Sequence, residues 1–170
     1  ELAPAAVQVR RVYQTLTGLP PSFAELQEWT ERLGADPTGS HEYLQLVDRL
    51  LARPAYGEQW GRHWLDVVRF AQSNGYERDG YKPYAWRYRD YVVQAFREDK
   101  PYDRFLLEQL AGDELADSDG TSRTATGFYR LGVWDDEPDD ARQAEFDLLD
   151  DVMVTIGASF MGLTIGCARC

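Results

Sequence analysis

Apolar residues recur three and four positions apart along nearly the whole of this 170-residue chain. That spacing suits helices and leaves little room for strands. Val7, Val9, Tyr13 and Leu16 mark a first helix, stopped by Gly18 and the Pro20-Pro21 pair. Ser22, with Glu25 three residues on, is a capping box that opens a second helix running to about Leu33. Gly34 to Gly39 is turn chemistry, and Ser40 is placed to cap a third helix carrying Tyr43, Leu46, Val47, Leu50 and Leu51. Pro54 marks a break. Trp60, Trp64, Val67, Val68 and Ala71 then form an apolar stripe, with Arg62, Asp66 and Arg69 on the opposite face.

Gln72 to Tyr84 is a long loop rich in Gly, Tyr, Asn and Asp, and loops of that length in compact proteins are commonly functional. Helices resume over about Ala85–Arg97 and Pro101–Ala111. A polar linker follows over Asp113–Ser122, then a short segment around Phe128–Leu131. A last helix is expected to start near Pro138. Its stripe Phe146, Leu149, Met153, Ile156, Phe160 and Leu163 marks it as the central core helix. No internal repeat or hairpin signal appears. The expected fold is all-α: a single helical domain over residues 1–170, an irregular bundle with long ordered loops and a C-terminal core helix. A domain of this length buries roughly 70% of the surface its unfolded chain exposes.

Charge narrows the function. The net charge of −11 argues against nucleic acid, whose phosphates such a chain repels. Nine acids and one arginine lie between Asp135 and Asp151. Asp147, Asp150 and Asp151 sit at i, i+3 and i+4, so they share a helical face and repel one another by roughly 0.2–0.5 kcal/mol per pair. Three answers are open. Arginines at 87, 89 and 97 could neutralise the face, water could solvate it, or a hard cation such as calcium could bind there. No apolar run is long enough to span a membrane.

The only two cysteines are Cys167 and Cys170. Two thiols at that spacing serve as a redox disulfide, half of a zinc site, a loop staple or, with a histidine next, a covalent attachment for c-type haem. The chain stops inside this motif, which predicts a fragment of a longer parent. His41, His63, Met153 and Met161 are the internal candidates for an axial ligand, although the histidine and the methionines also read as packing residues. Half of the aromatic residues lie between Tyr56 and Phe96. The loop tyrosines beside Glu77 and Asp79 could stack on sugars or simply pin the loop. No phosphate-binding glycine loop, nucleophile elbow or His-Glu-x-x-His motif is present.

Several stretches together carry a family resemblance. They are Leu16-Thr17-Gly18-Leu19-Pro20-Pro21, Val47-Asp48-Arg49-Leu50-Leu51, Tyr56-Gly57-Glu58-Gln59-Trp60, His63-Trp64-Leu65-Asp66 and Ala85 to Val92. Asp99 to Phe105, Glu108 to Asp113 and Gly162 to Cys170 complete the set. In this order they resemble the planctomycete-type cytochrome C domain, long catalogued as a domain of unknown function. In that family the last stretch resembles Cys-Ala-Arg-Cys-His, so Cys167 and Cys170 are the positions that carry over. The resemblance implies export to the periplasm or beyond, further domains in the parent chain, a redox partner, and covalent haem at Cys167/Cys170 in the full-length protein. Two rivals remain beside that reading. One is a non-haem metal domain using the same cysteines and the Asp147/Asp150/Asp151 face. The other is a glycan- or protein-binding module built on the Tyr-rich loop.

Overall fold

The computed structural model describes residues 3–34 and 41–169. Within them run eight α-helices: α1 (Ala5–Thr17), α2 (Phe23–Leu33), α3 (His41–Leu51), α4 (Pro54–Val67), α5 (Ala85–Arg97), α6 (Tyr102–Ala111), α7 (Gly120–Ala125) and α8 (Ala141–Met161). Two short 3-10 turns follow α7 and α8, at Thr126–Arg130 and Gly166–Arg169. The described residues form no strand, only an isolated antiparallel bridge between Ser73 and Tyr81. The fold is all-α, as the periodicity predicts. The proposed Ser40 cap and the Gly34–Gly39 turn fall largely outside the described residues.

The chain divides into two compact units, one of residues 1–62 with 93–99 and the other of 63–92 with 100–170. In the first, α1 ends where predicted, because Gly18 takes the left-handed conformation (φ 68°) that closes the last turn. α2 opens on the predicted capping box, with the Ser22 hydroxyl accepting the Glu25 N–H and the Glu25 carboxylate accepting the Ser22 N–H. Val9, Val12 and Tyr13 of α1 pack with Trp29 and Leu33 of α2 and Leu46 and Leu50 of α3. Pro54 stands at the first position of α4, where its missing N–H costs nothing, so the break falls just before it.

One ion pair ties this core together. Glu25 caps α2 and also pairs with Arg53 in the turn before α4, while the Arg53 guanidinium lies 5.2 Å from the centre of the Tyr13 ring. The hydrogen bond from Arg53, and then that from the Ser22 backbone, hold the Glu25 carboxyl at about 2, well below its ordinary 4.5. Further along the unit, Gly61 of α4 lets Val93 of α5 approach so closely that an added Cβ would sit 3.1 Å from a Val93 methyl.

In the second unit, Trp64 stacks on Phe160 (centroids 5.6 Å apart) and meets Phe105 edge-on at 4.9 Å. Phe128 packs 5.2 Å from Phe160. Gln109, fully buried, accepts from Tyr88 Oη and Trp64 Nε1 (3.1 Å) and donates to the Phe105 carbonyl (3.0 Å). Its neighbour Glu108 accepts from Lys100 Nζ, Arg104 Nε (2.7 Å) and Tyr91 Oη (2.9 Å). Burial pushes the Glu108 carboxyl up, but those donors outweigh it and leave it below the usual carboxylate range.

Three expectations need correction. α8 starts at Ala141, not near Pro138, because the Asp140 side chain accepts the N–H groups of Arg142 and Gln143 and caps it there. Its buried residues are Val152, Thr155 and Gly157, whereas Phe146, Leu149, Met153 and Leu163 of the predicted stripe are exposed; only Ile156 and Phe160 are half-buried. Finally, Val67 on the α4 stripe is exposed while Val68 is fully buried.

The Glu25 pair makes a pH prediction. Because the folded carboxyl value is depressed, its contribution is complete above about pH 4.5 and fades as pH falls toward 2. Glu25→Gln should lose roughly 2 kcal/mol near neutral pH. In urea unfolding, that gap between variant and parent should close progressively as pH drops through this window. A gap that is constant with pH would show that the capping geometry, and not the charge, carries the stability.

Candidate functional site

The second unit holds a cleft of about 970 Å³, at the upper end of the range for small-molecule sites. Its wall is built mainly from three segments, the loop before α5 and that helix's first turns, α7 with the 3-10 turn after it, and residues 130–134, and is completed by Asp113, Asp136 and Leu148.

The loop is ordered by its own backbone. Asn74 N–H donates to the Gly80 carbonyl (2.8 Å) and Lys82 N–H to the Gln72 carbonyl (2.7 Å). Asp79, at φ 42°, accepts the Gly75 N–H at 2.8 Å; the Ser73 side chain, and then that bond, hold its carboxyl below the ordinary value. Trp134 N–H then donates to the Asn74 carbonyl (3.1 Å), joining the loop to the far wall. Lys82 completes the frame by donating from Nζ to the carbonyls of Leu131 (3.0 Å) and Gly132 (2.7 Å). Burial, helped by Arg69, pushes the Lys82 ammonium below its ordinary value.

Aromatic rings and cations face this space. Tyr81, Tyr84 and Trp134 are exposed at 68%, 67% and 45%; Tyr129, half-buried, adds ring surface, and the buried Tyr88 backs the wall. Lys82, Arg87, Arg123 and Arg130 supply four cations against the carboxylates of Asp113 and Asp136. The Arg87 guanidinium lies over the Tyr84 ring at 4.9 Å. Arg87, Arg123 and Arg130 form no ion pair with a carboxylate among the described residues. The loop tyrosines Tyr76, Tyr81 and Tyr84 are all exposed, with Arg87 over the Tyr84 ring. Beside the cleft, sharing Asn74, Trp134 and Asp136, lies a recess of about 270 Å³ lined by Glu77, Asp79, Asp135 and Glu137. Arg78 pairs with Glu137 there at 2.5 Å.

The predicted acidic face is neutralised in part, though by a different arginine. Arg69 grips Asp151 with two nitrogens, Nε to Oδ1 at 3.1 Å and Nη2 to Oδ2 at 2.6 Å. Of the arginines proposed for this role, Arg89 pairs with its neighbour Asp90, Arg87 stacks in the cleft, and Arg97 packs over Gly57. Asp147 accepts from Gln143 Nε2 at 2.9 Å, and Asp150 is half-buried. Among the described residues no group of three or more His, Cys, Asp or Glu gathers to hold a metal ion.

Cys167 is exposed on the 3-10 turn after α8; Cys170 lies outside the described residues. That turn folds back on its helix: Leu163 N–H bonds the Gly157 carbonyl (2.8 Å), and Ile165 covers Gly157 so closely that a Cβ there would come within 2.8 Å of it. Met153 and Met161 are exposed on α8 and His63 on α4, while His41, in the first unit, bonds Gln45. None of these four residues, nor Cys167, lines the cleft.

Sequence reasoning found the loop but missed its partners. Lys82 stands alone in the loop, and of its partners only Arg130 fell in an assigned element, the short segment around Phe128–Leu131; Arg123 and Trp134 lie outside both that segment and the linker Asp113–Ser122. The one available signal was the run of exposed-type aromatics flanking arginines.

Asp151 is the only carboxylate paired with Arg69 among the described residues, and Arg69 Nη1 is buried with no hydrogen-bond acceptor. Asp151→Asn leaves that guanidinium without its counter-charge and should destabilise the chain by about 1–2 kcal/mol, seen as a lower Tm. An unchanged Tm would mean that water supports the arginine as well as aspartate does.

No curated protein and no solved structure matches the chain. Among the described residues no helix is long and apolar enough to cross a membrane. A family model described as PSCyt2, protein of unknown function (DUF1549), matches residues 1–170. The resemblance to the planctomycete-type cytochrome C domain is thereby borne out, and the chain belongs to the PSCyt2 family.

Proposed function

We propose that this chain is a ligand-binding helical module of an exported, multidomain cytochrome-associated protein, and that the cleft of its second unit is the binding site. The observation that carries this reading is the clustering of exposed aromatic rings, and of guanidinium groups with no carboxylate partner among the described residues, around about 970 Å³ of open space. Exposed rings scattered singly need no explanation, but rings gathered round a concave surface offer flat apolar faces to a partner. Guanidinium groups that no carboxylate occupies offer forked donors to the same partner. Tryptophan fluorescence titration against a panel of sugars, carboxylic acids and peptides tests it. A saturable change that is lost in Trp134→Phe and Tyr84→Ala, with Tm retained, is expected. No saturable ligand across the panel would sink the reading.

A second reading rests on the exposed thiol of Cys167. It meets the first requirement of a thioether to haem, being accessible on a turn anchored to the end of α8. Cys167 and Cys170 would hold the group, and the exposed methionines and His63 would be in-chain candidates for ligation. Covalently held haem would supply one-electron transfer. The longer parent, expressed with the c-type maturation machinery, should then give a pyridine haemochrome spectrum that vanishes in Cys167→Ser. A colourless protein with one bound metal per chain would favour the non-haem alternative.

A further inference from the structure

We infer that the ligand of the cleft is a short acidic oligosaccharide, one whose sugar rings carry carboxylate or sulfate groups. This rests on the reading of the cleft as a binding site and names its substrate class.

Four features of the wall select that chemistry. Three guanidinium groups, Arg87, Arg123 and Arg130, stand on the wall without a carboxylate partner among the described residues. Each matches the two oxygens of a carboxylate or sulfate in a forked pair. Tyr84 and Trp134 expose ring faces, which suit the apolar face of a pyranose. Asp113 and Asp136 are acceptors among these donors. A bare inorganic anion has no use for them, whereas sugar hydroxyls donate to them. Finally, about 970 Å³ is far more than a single oxyanion fills.

The surroundings exclude the main rival, a single-stranded nucleic acid, which also seeks rings and cations. The adjoining recess is lined by Glu77, Asp79, Asp135 and Glu137 with one cation, Arg78, and the whole chain carries −11. A polyphosphate, charged at every unit, meets that field along its length. A saccharide with charges spaced over neutral rings places them on the arginines and leaves hydroxyls for the acidic side. Lys82 is excluded from ligand recognition because its ammonium is already bound to two backbone carbonyls; its role is to hold the 131–132 turn that presents Arg130 and Trp134.

The experiment is isothermal titration of the intact chain with a hyaluronan tetrasaccharide, whose glucuronates alternate with neutral rings, a galactose trisaccharide carrying one sulfate, maltotriose and a thymidine oligonucleotide. One or both acidic sugars should bind, and which of them does identifies the oxyanion. Maltotriose should bind roughly tenfold or more weakly, and raising the salt concentration should weaken only the acidic sugars. Arg123→Ala and Arg130→Ala, both exposed and so expected to keep the parent Tm, should each weaken binding roughly tenfold or more. Arg10→Ala, exposed on α1, should leave it unchanged. Equal binding of maltotriose, or tighter binding of the oligonucleotide, overturns the inference while leaving a functional cleft. If no sugar binds but another panel compound quenches Trp134, the saccharide class fails and the binding module stands. If nothing binds, both fall.

Discussion

Two adjacent buried polar residues on α6 hold the second unit in the arrangement its cleft needs. Gln109 has no exposure, so every hydrogen-bonding group on it must be met inside the protein. It is met by Trp64 from α4, by Tyr88 from α5 and by the Phe105 carbonyl of its own helix. Glu108 does the same on the neighbouring face, drawing in Tyr91, Lys100 and Arg104. Replacing either with an apolar residue would strand several donors at roughly 1–3 kcal/mol apiece. The consequence reaches the surface, because Tyr88 is also part of the cleft wall and the turn at Gly127 rests on its ring, where an added Cβ would lie 3.5 Å away. The polar core thus fixes a buried ring, Tyr88, on which the cleft wall at Gly127 rests.

The helices that could be read from sequence are those whose ends and faces are both specified. α1 and α2 carry a glycine stop, a capping box and a single apolar stripe, and each formed where these signals placed it. α8 carries two competing stripes. Phe146, Leu149 and Met153 are the more hydrophobic set, yet Leu148, Val152, Thr155 and Ser159 keep the same 3–4 spacing and turn inward. Hydropathy alone ranks Thr and Ser as outward residues. Here Thr155 donates its hydroxyl to the Asp151 carbonyl (2.8 Å) and Ser159 to the Thr155 carbonyl (2.6 Å), so neither goes inward with an unmet donor. Periodicity finds such a helix without finding its face.

The candidate site was legible only as a loop. Its length and its tyrosines are local facts, and the sequence displays them. That Arg123, Arg130 and Trp134 stand opposite is a tertiary fact, set by the bond from Trp134 N–H to Asn74 and by Lys82 reaching the carbonyls of Leu131 and Gly132. Charge followed the same logic. An arginine was one of three answers to the acids between Asp135 and Asp151, and Arg69 supplied it in part from just past the end of α4, where its backbone takes the left-handed φ of 54°. Sequence proximity pointed to other candidates.

Arginine does two different jobs in this chain, and the difference bears on function. Arg53, Arg69 and Arg104 are spent on carboxylates that join separate segments. Arg87, Arg123 and Arg130 stand round a cleft with no carboxylate in their forks among the described residues, in a chain with an excess of acids. A purely structural surface with that excess would pair them, because Asp113 and Asp136 share the same wall. Leaving them open costs some electrostatic stability, and a ligand that arrives with its own oxyanions recovers it. The exposed thiol of Cys167 belongs to another part of the unit, outside the cleft wall. A covalent group held there and a saccharide held in the cleft would therefore occupy different surfaces, so the binding and haem readings are compatible and each can fail alone.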